Sequence, residues 1–173
     1  NKYGVSVSTI EHLMSALHGM GIDNAIVEVD CNELPILDGS SIEYVRNIES
    51  IGLKSFNVGK QFLSISRPIV FSMNDSFVKV TPSDNFEIDY TISYDHNFIK
   101  KQRFNYIFKD SKQFKNLISN CRTFGFKEEV DTLRKKGLIA GGSLDNAIVL
   151  DHEGIVNNDK LRQENEFVKH KIL

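Results

Sequence analysis

Residues 86 to 94 read Phe-Glu-Ile-Asp-Tyr-Thr-Ile-Ser-Tyr. Phe86, Ile88, Tyr90, Ile92 and Tyr94 alternate with Glu87, Asp89, Thr91 and Ser93. Successive side chains of a strand point to opposite faces, so this pattern describes a strand with one apolar face and one wet face. Such a strand needs hydrogen-bonding neighbours and a second layer over its apolar side. Neighbours are available in sequence at Gln61–Ser66, Ile69–Met73, Phe77–Thr81, Gln102–Phe108 and Asn146–Asp151, and before them at Asn24–Cys31.

The covering layer must be helical. Ser8 followed three residues later by Glu11 has the form of a capping box. Leu13, Ala16, Leu17 and Met20 then form an apolar stripe that ends at Gly19 and Gly21. Helices are also expected at Ser41–Ile51, Ser111–Ile118 and Lys127–Lys136, with a last one from near Asp159 to the end of the chain. The order is helix, strand, helix, then strands with helices inserted, which is an α+β pattern. Gly52–Lys60 reads as a link, dividing the chain into residues 1–55 and 56–173.

Bulk properties narrow the partners. In 173 residues, 21 basic and 23 acidic side chains leave a net charge of −2. With no basic stripe, nucleic acid is not an expected partner. No apolar run reaches the length of a membrane-spanning helix. Cys31 and Cys121 stand far apart and form no metal knuckle or disulfide framework, which suits a reducing, cytoplasmic setting.

Two histidines stand next to carboxylates in helical segments. In Glu11-His12 the glutamate can be a cap and the histidine a half-buried surface residue. Alternatively, the positive end of a helix favours an ionised carboxylate and a neutral imidazole, the states required of a general base and a metal ligand. Glu166 and His170 are spaced i, i+4, as an ion pair, a solvated face or two metal ligands would be. His18, His96 and His152 have no ligand-like company apart from local carboxylates. Cys121–Phe126 can be a packed corner before a helix. Ala140-Gly141-Gly142-Ser143 permits close backbone approach to a ligand, but it is not a phosphate-binding loop.

Five blocks, STIEHLMSALHGMGIDNAIVEV, PILDGSS, RTFGF, GGSLDNAIVL and ENEFVKHKIL, occur in this order over nearly the whole chain. Together they resemble the UDP-3-O-acyl-N-acetylglucosamine deacetylases, zinc-dependent enzymes of lipid A synthesis in Gram-negative bacteria. The resemblance implies two α+β domains, each with a sheet and two helices, the helices packed between the sheets and a Zn2+ site between the domains. It makes His12 and His170 zinc ligands, Glu11 the general base and Thr123 the partner of the oxyanion. Phe124 and Lys171 are implied in substrate contact and Tyr94 near the uridine. Val130, Gly142, Ser143, Ala147 and Val149 fall on the family's apolar passage for the acyl chain, and Asp38 supports the site from behind.

The substrate implied is UDP-3-O-acyl-N-acetylglucosamine, with no membrane span and transient proximity to a membrane surface through the lipid. In the family pattern a third ligand, an aspartate, falls one position beyond Leu173, and a general-acid histidine lies further on. The chain is therefore expected to be a fragment lacking both ends, to bind zinc weakly and to turn over little substrate by itself, unless Glu166 serves as third ligand. A metal hydrolase of another acetamide, or a non-catalytic α+β binding module, would share many of these features. A fatty-acid dehydratase domain fused downstream is compatible with the same residues.

Overall fold

The computed structural model describes residues 4–130 and 143–173. It is α+β, with helices that pack on or beside small sheets, four of them lying wholly within the described residues. The helices are α1 (Glu11–Gly19), α2 (Ile42–Ile51), α3 (Ser111–Leu117) and α4 (Glu166–Ile172). The strands are β1 (Ile69–Met73), β2 (Ser76–Val80), β3 (Glu87–Ile92), β4 (Gln102–Ile107), β5 (Phe124–Phe126), β6 (Ile148–Asp151) and β7 (Gly154–Ile155). Residues 127–130 are helical, and the remainder of the helix expected up to Lys136 lies outside the described residues.

The alternating segment forms β3, paired antiparallel with β4 so that Ile88 faces Tyr106 and Tyr90 faces Phe104. Ile92 and Tyr106 are buried beneath the helices, while Arg103 and Asp89 pair on the wet face, with Nε to Oδ1 at 2.8 Å. β1 and β2 make a separate hairpin whose residues are all exposed. β5 runs parallel to β6, which pairs antiparallel with β7. β5 is the segment that the sequence alone left as a corner.

Two apolar clusters hold these elements together. Ala16, Val45, Tyr106, Phe114, Ile118 and Ile172 form one, joining α1, α2, α3, β4 and α4. Ile92, Ile99, Ile148, Leu150, Phe167 and Val168 form the other. α4 feeds both, so it is buried nearly all round, as a helix in the middle of a core must be. Close approach of α1 to α3 depends on Gly19, where an added Cβ would lie 2.2 Å from Phe114 Cδ1. α3 has a reciprocal cap, in which Gln113 N donates to Asp110 Oδ1 at 2.7 Å and Lys109 N donates to Gln113 Oε1 at 3.0 Å.

Four expectations are corrected. Ser8 does not cap α1: its hydroxyl donates to Asn32 O at 3.1 Å within an isolated bridge to Glu33. Thr9 then turns into the left-handed region at φ 54°, and the helix starts at Glu11 after Ile10. Asn24–Cys31 and Gln61–Ser66 are not strands. Asn24–Cys31 does alternate, but no sheet among the described residues includes either segment to take up its backbone groups. Finally, the last helix starts at Glu166 rather than near Asp159, because Lys160 O and Arg162 N are used laterally by Arg122 and Glu166.

A buried imidazole pair as the candidate metal site

The buried face of α1 consists of His12, Ser15, Ala16 and Gly19, spaced i, i+3, i+4 and i+7. The most protected stripe is thus rotated from the apolar one that the sequence suggested. It carries His12, only 1% exposed, into the junction with α4. There the rings of His12 and His170 stand 5.4 Å apart between centres, at 62°. The structure brings the two sequence-distant histidines together.

Hydrogen bonding separates their roles. His170 Nδ1 lies 3.0 Å from Cys121 O, and a carbonyl only accepts, so the proton sits on Nδ1 and the lone pair on Nε2. Both ring nitrogens of His12 are buried without a partner among the described residues. A buried polar group without a partner is costly, so two on one ring call for an occupant. Burial pulls His170 down to about 4, reinforced by the charges of His12 and Lys171 against the pull of the Cys121 carbonyl. His12 is also lowered, chiefly by burial, although the charges of Glu11 and Asp38 oppose it. Both rings are therefore neutral near pH 7, the state that coordinates a metal.

Two imidazole nitrogens on one tetrahedral zinc, each at about 2.0–2.1 Å, would set the ring centres roughly 5 Å apart. The observed separation fits, as does the Nδ1 anchor on His170, the usual support behind a ligating histidine. His12 has no such support among the described residues. Nor do those residues contain a cluster of three His, Cys, Asp or Glu side chains that could hold a metal. The expectation that Glu166 could be a third ligand, or face solvent, is corrected. Glu166 is fully buried and accepts from Arg122 N at 2.9 Å, Arg122 Nε at 3.0 Å and Arg162 N at 2.6 Å.

Around the pair, the other sequence-derived residues are distributed as follows. Glu11 is exposed on the first turn of α1 and lies at a cavity of about 260 Å³ shared with Met14, Phe86 and Phe108. Asp38 sits in a tight turn. Burial alone would raise its carboxyl, but hydrogen bonds from Arg162 and Ser40, with the Arg162 charge, hold it below the usual value. Gly39, at φ 81°, presses on the backbone of Asn146, where a Cβ would meet the carbonyl oxygen at 1.9 Å. Its own carbonyl accepts from Thr123 N at 2.7 Å, which docks the asparagine, threonine and aspartate segments onto one another.

Phe124, Tyr94 and Lys171 come together. Phe124 meets Tyr94 edge-on at 5.9 Å, and Lys171 Nζ lies 5.1 Å above the Phe124 ring. Val130 Cγ2 would touch a Cβ at Gly125 at 3.3 Å, and Val149 is paired with Gly125 and buried. Ser143 N donates to Asn146 Oδ1 at 2.7 Å, and Ala147 O accepts from Asn157 Nδ2 at 2.9 Å. Gly142 lies outside the described residues. The sequence reading missed the Arg122–Glu166–Arg162 network. A signal was available, since Arg122 is a lone base between apolar Cys121 and Phe124 and needs a buried acid.

An α+β scaffold that buries two neutral, converging imidazoles, one unpartnered at both nitrogens, has the site type of a metalloenzyme. The family model for UDP-3-O-acyl N-acetylglycosamine deacetylase matches residues 1–173, and the chain belongs to that family. Relatives named UDP-3-O-acyl-N-acetylglucosamine deacetylase include those of Syntrophus aciditrophicus, 46% identical over 98% of this chain and 54% of the relative. In Saccharophagus degradans the identity is 46%, over 98% and 56%. In Nautilia profundicola it is 47%, over 98% and 58%. The chain thus spans little more than half the length of these curated relatives. No helix among the described residues is long and apolar enough to cross a membrane.

Proposed function

We propose that this chain carries the histidine pair and the base of a cytoplasmic zinc-dependent deacetylase acting on UDP-3-O-acyl-N-acetylglucosamine in lipid A synthesis. One observation carries the reading: His12 and His170 converge at 5.4 Å, with both nitrogens of His12 lacking a partner among the described residues. Family membership supplies the substrate class. A free buried Cys121 and a free Cys31 agree with a reducing compartment.

His12 and His170 would hold the metal through neutral nitrogens. Zinc bound there supplies Lewis-acid polarisation of the acetamide carbonyl and a lowered pKa for the attacking water. Glu11, at the positive end of α1 and open to solvent, would serve as the general base that takes a proton from the water nucleophile. Thr123, held by its backbone to Gly39, offers a hydroxyl to the developing oxyanion. Lys171, Phe124 and Tyr94 form one cationic and aromatic wall suited to the sugar nucleotide. Val130, Ser143, Ala147 and Val149 line the route of the acyl chain, which brings the protein transiently to a membrane surface, and Asp38 supports the pair from behind; Gly142 is assigned to that route by sequence alone.

The test is metal binding together with turnover. The 173 residues bind zinc weakly, His12→Ala or His170→Ala abolishes that binding, and acetate release is slight. In a protein of the relatives' full length that contains these residues, Glu11→Gln lowers deacetylation by about 10²–10⁴-fold with zinc content unchanged. Zinc binding indifferent to His12→Ala refutes the reading, and robust turnover by the 173 residues refutes the account of two ligands only.

A further inference from the structure

Arg162 lies outside the imidazole pair, in the lead-in to α4, and its contacts reach three segments around the site: the Asp38–Ser40 turn, the loop at Asn120 and the start of α4. Its Nη1 donates to Asp38 Oδ2 at 2.7 Å, to Asn120 Oδ1 at 3.1 Å, to Asn120 O at 3.4 Å and to Ser40 Oγ at 3.5 Å. Its backbone N donates to Glu166 Oε2 at 2.6 Å, fixing it to the start of the helix that carries His170. Each bound segment continues into the site. Gly39 O receives Thr123 N, Ser119 O receives Ser41 N at 3.0 Å, and Cys121 O receives the His170 imidazole. Asp38 is near enough to His12 for its charge to act on that ring.

The side chains of Arg162 and Asp38 remain 29% and 24% exposed, so as a stabiliser the pair is worth little. As a clamp it is different. One side chain ties the turn behind His12 to the loop behind His170, with Arg162 itself 124 residues from Asp38 in sequence. We propose that Arg162 is a positioning residue that sets the separation and orientation of the His12 and His170 rings, and thereby the affinity of the site for a divalent metal. The inference rests on the proposed metal reading, but it makes a separate claim about the metal-free protein.

The experiment is a Co2+ titration followed by visible absorbance, with ¹⁵N-imidazole spectra of the metal-free chain. Wild type, His12→Ala, Arg162→Met, Arg162→Lys and the core variant Ile99→Ala are compared at a temperature where all are folded. Arg162→Met weakens Co2+ binding about 10-fold and shifts both imidazole signals. Arg162→Lys keeps the charge but moves the single donor nitrogen, since all the side-chain contacts come from Nη1, and recovers only part of the affinity. Ile99→Ala, a destabilised control in the other cluster, leaves Co2+ affinity and imidazole signals unchanged. Affinity in Arg162→Met within twofold of Ile99→Ala, or unshifted imidazole signals, overturns the proposal. If wild type binds Co2+ no better than His12→Ala, the metal reading fails instead, and the spectra of the metal-free Arg162→Met protein decide the positioning claim alone.

Discussion

Replacing Glu166 with Gln should be among the most damaging conservative changes available to this chain. The carboxylate is 0% exposed, and its two oxygens accept from Arg122 N, Arg122 Nε and Arg162 N, with Arg122 Nη2 more distant at 3.4 Å. The Arg122 side chain is only 6% exposed, so its charge cannot turn to water when the partner is neutralised. Besides Glu166 it has Lys160 O at 2.9 Å and the largely exposed Asp159 at 3.7 Å. Glutamine has the right shape, but its amide NH2 would face either the Arg162 or the Arg122 donors. Removing one partner of a buried pair costs about 3–5 kcal/mol, against a total of roughly 5–15 kcal/mol for a domain. With no tryptophan in the sequence, urea unfolding is best followed by far-ultraviolet circular dichroism. The double variant Arg122→Met/Glu166→Leu, which removes both charges, should recover much of the loss. A loss below about 1 kcal/mol for Glu166→Gln, or a double variant worse than the single, would refute the buried-pair argument.

Two further outcomes follow from the core. Gly19→Ala places a methyl in the ring of Phe114, so the helix pair must separate, and a loss of about 1–3 kcal/mol is expected in the same urea assay; an unchanged midpoint would show that Phe114 yields freely. Burial pushes the Tyr106 hydroxyl from 10.0 up to about 12. The unfolded chain therefore releases this proton first, and stability present below pH 10 is lost as pH rises toward 12. Tyr106→Phe should flatten that decline by about 2 kcal/mol; identical alkaline unfolding curves for both proteins would rule it out.

The sequence was most readable where a segment is buried on one side and paired on the other. Phe86–Tyr94 and its partner at Gln102–Phe108 satisfy both conditions, and β3 and β4 fall within a residue or two of the expected bounds. Asn24–Cys31 has the same alternation and forms no strand, because alternation records a two-faced environment and says nothing about an available neighbour. Ser8 and Glu11 match a capping box in letters, yet the left-handed turn at Thr9 sends the serine to Asn32 instead. α2, by contrast, is punctuated locally, since Gly52 at φ 81° closes it onto Ile48 O.

The site was legible in a different manner. Nothing in local spacing links His12 to His170; only the five ordered blocks suggested that the two belong together. Spacing also misassigned Glu166, because an i, i+4 acid and histidine look alike whether they share a metal or an arginine is buried beside the acid. Arg162 carried no local signal, as its partners Asp38 and Asn120 are adjacent only after the chain has folded.

α4 joins the two apolar clusters, giving Ile172 to one and Phe167 and Val168 to the other. Its amides should therefore exchange with solvent only through the opening that dissolves the whole structure, in contrast to those of the exposed β1–β2 hairpin. His170 rides on this slowest-exchanging helix. A substitution in either cluster that lowers global stability leaves the ring in place in the folded protein but raises the fraction of molecules in which unfolding removes it, so tolerance of the site to mutation is bounded by the global unfolding equilibrium.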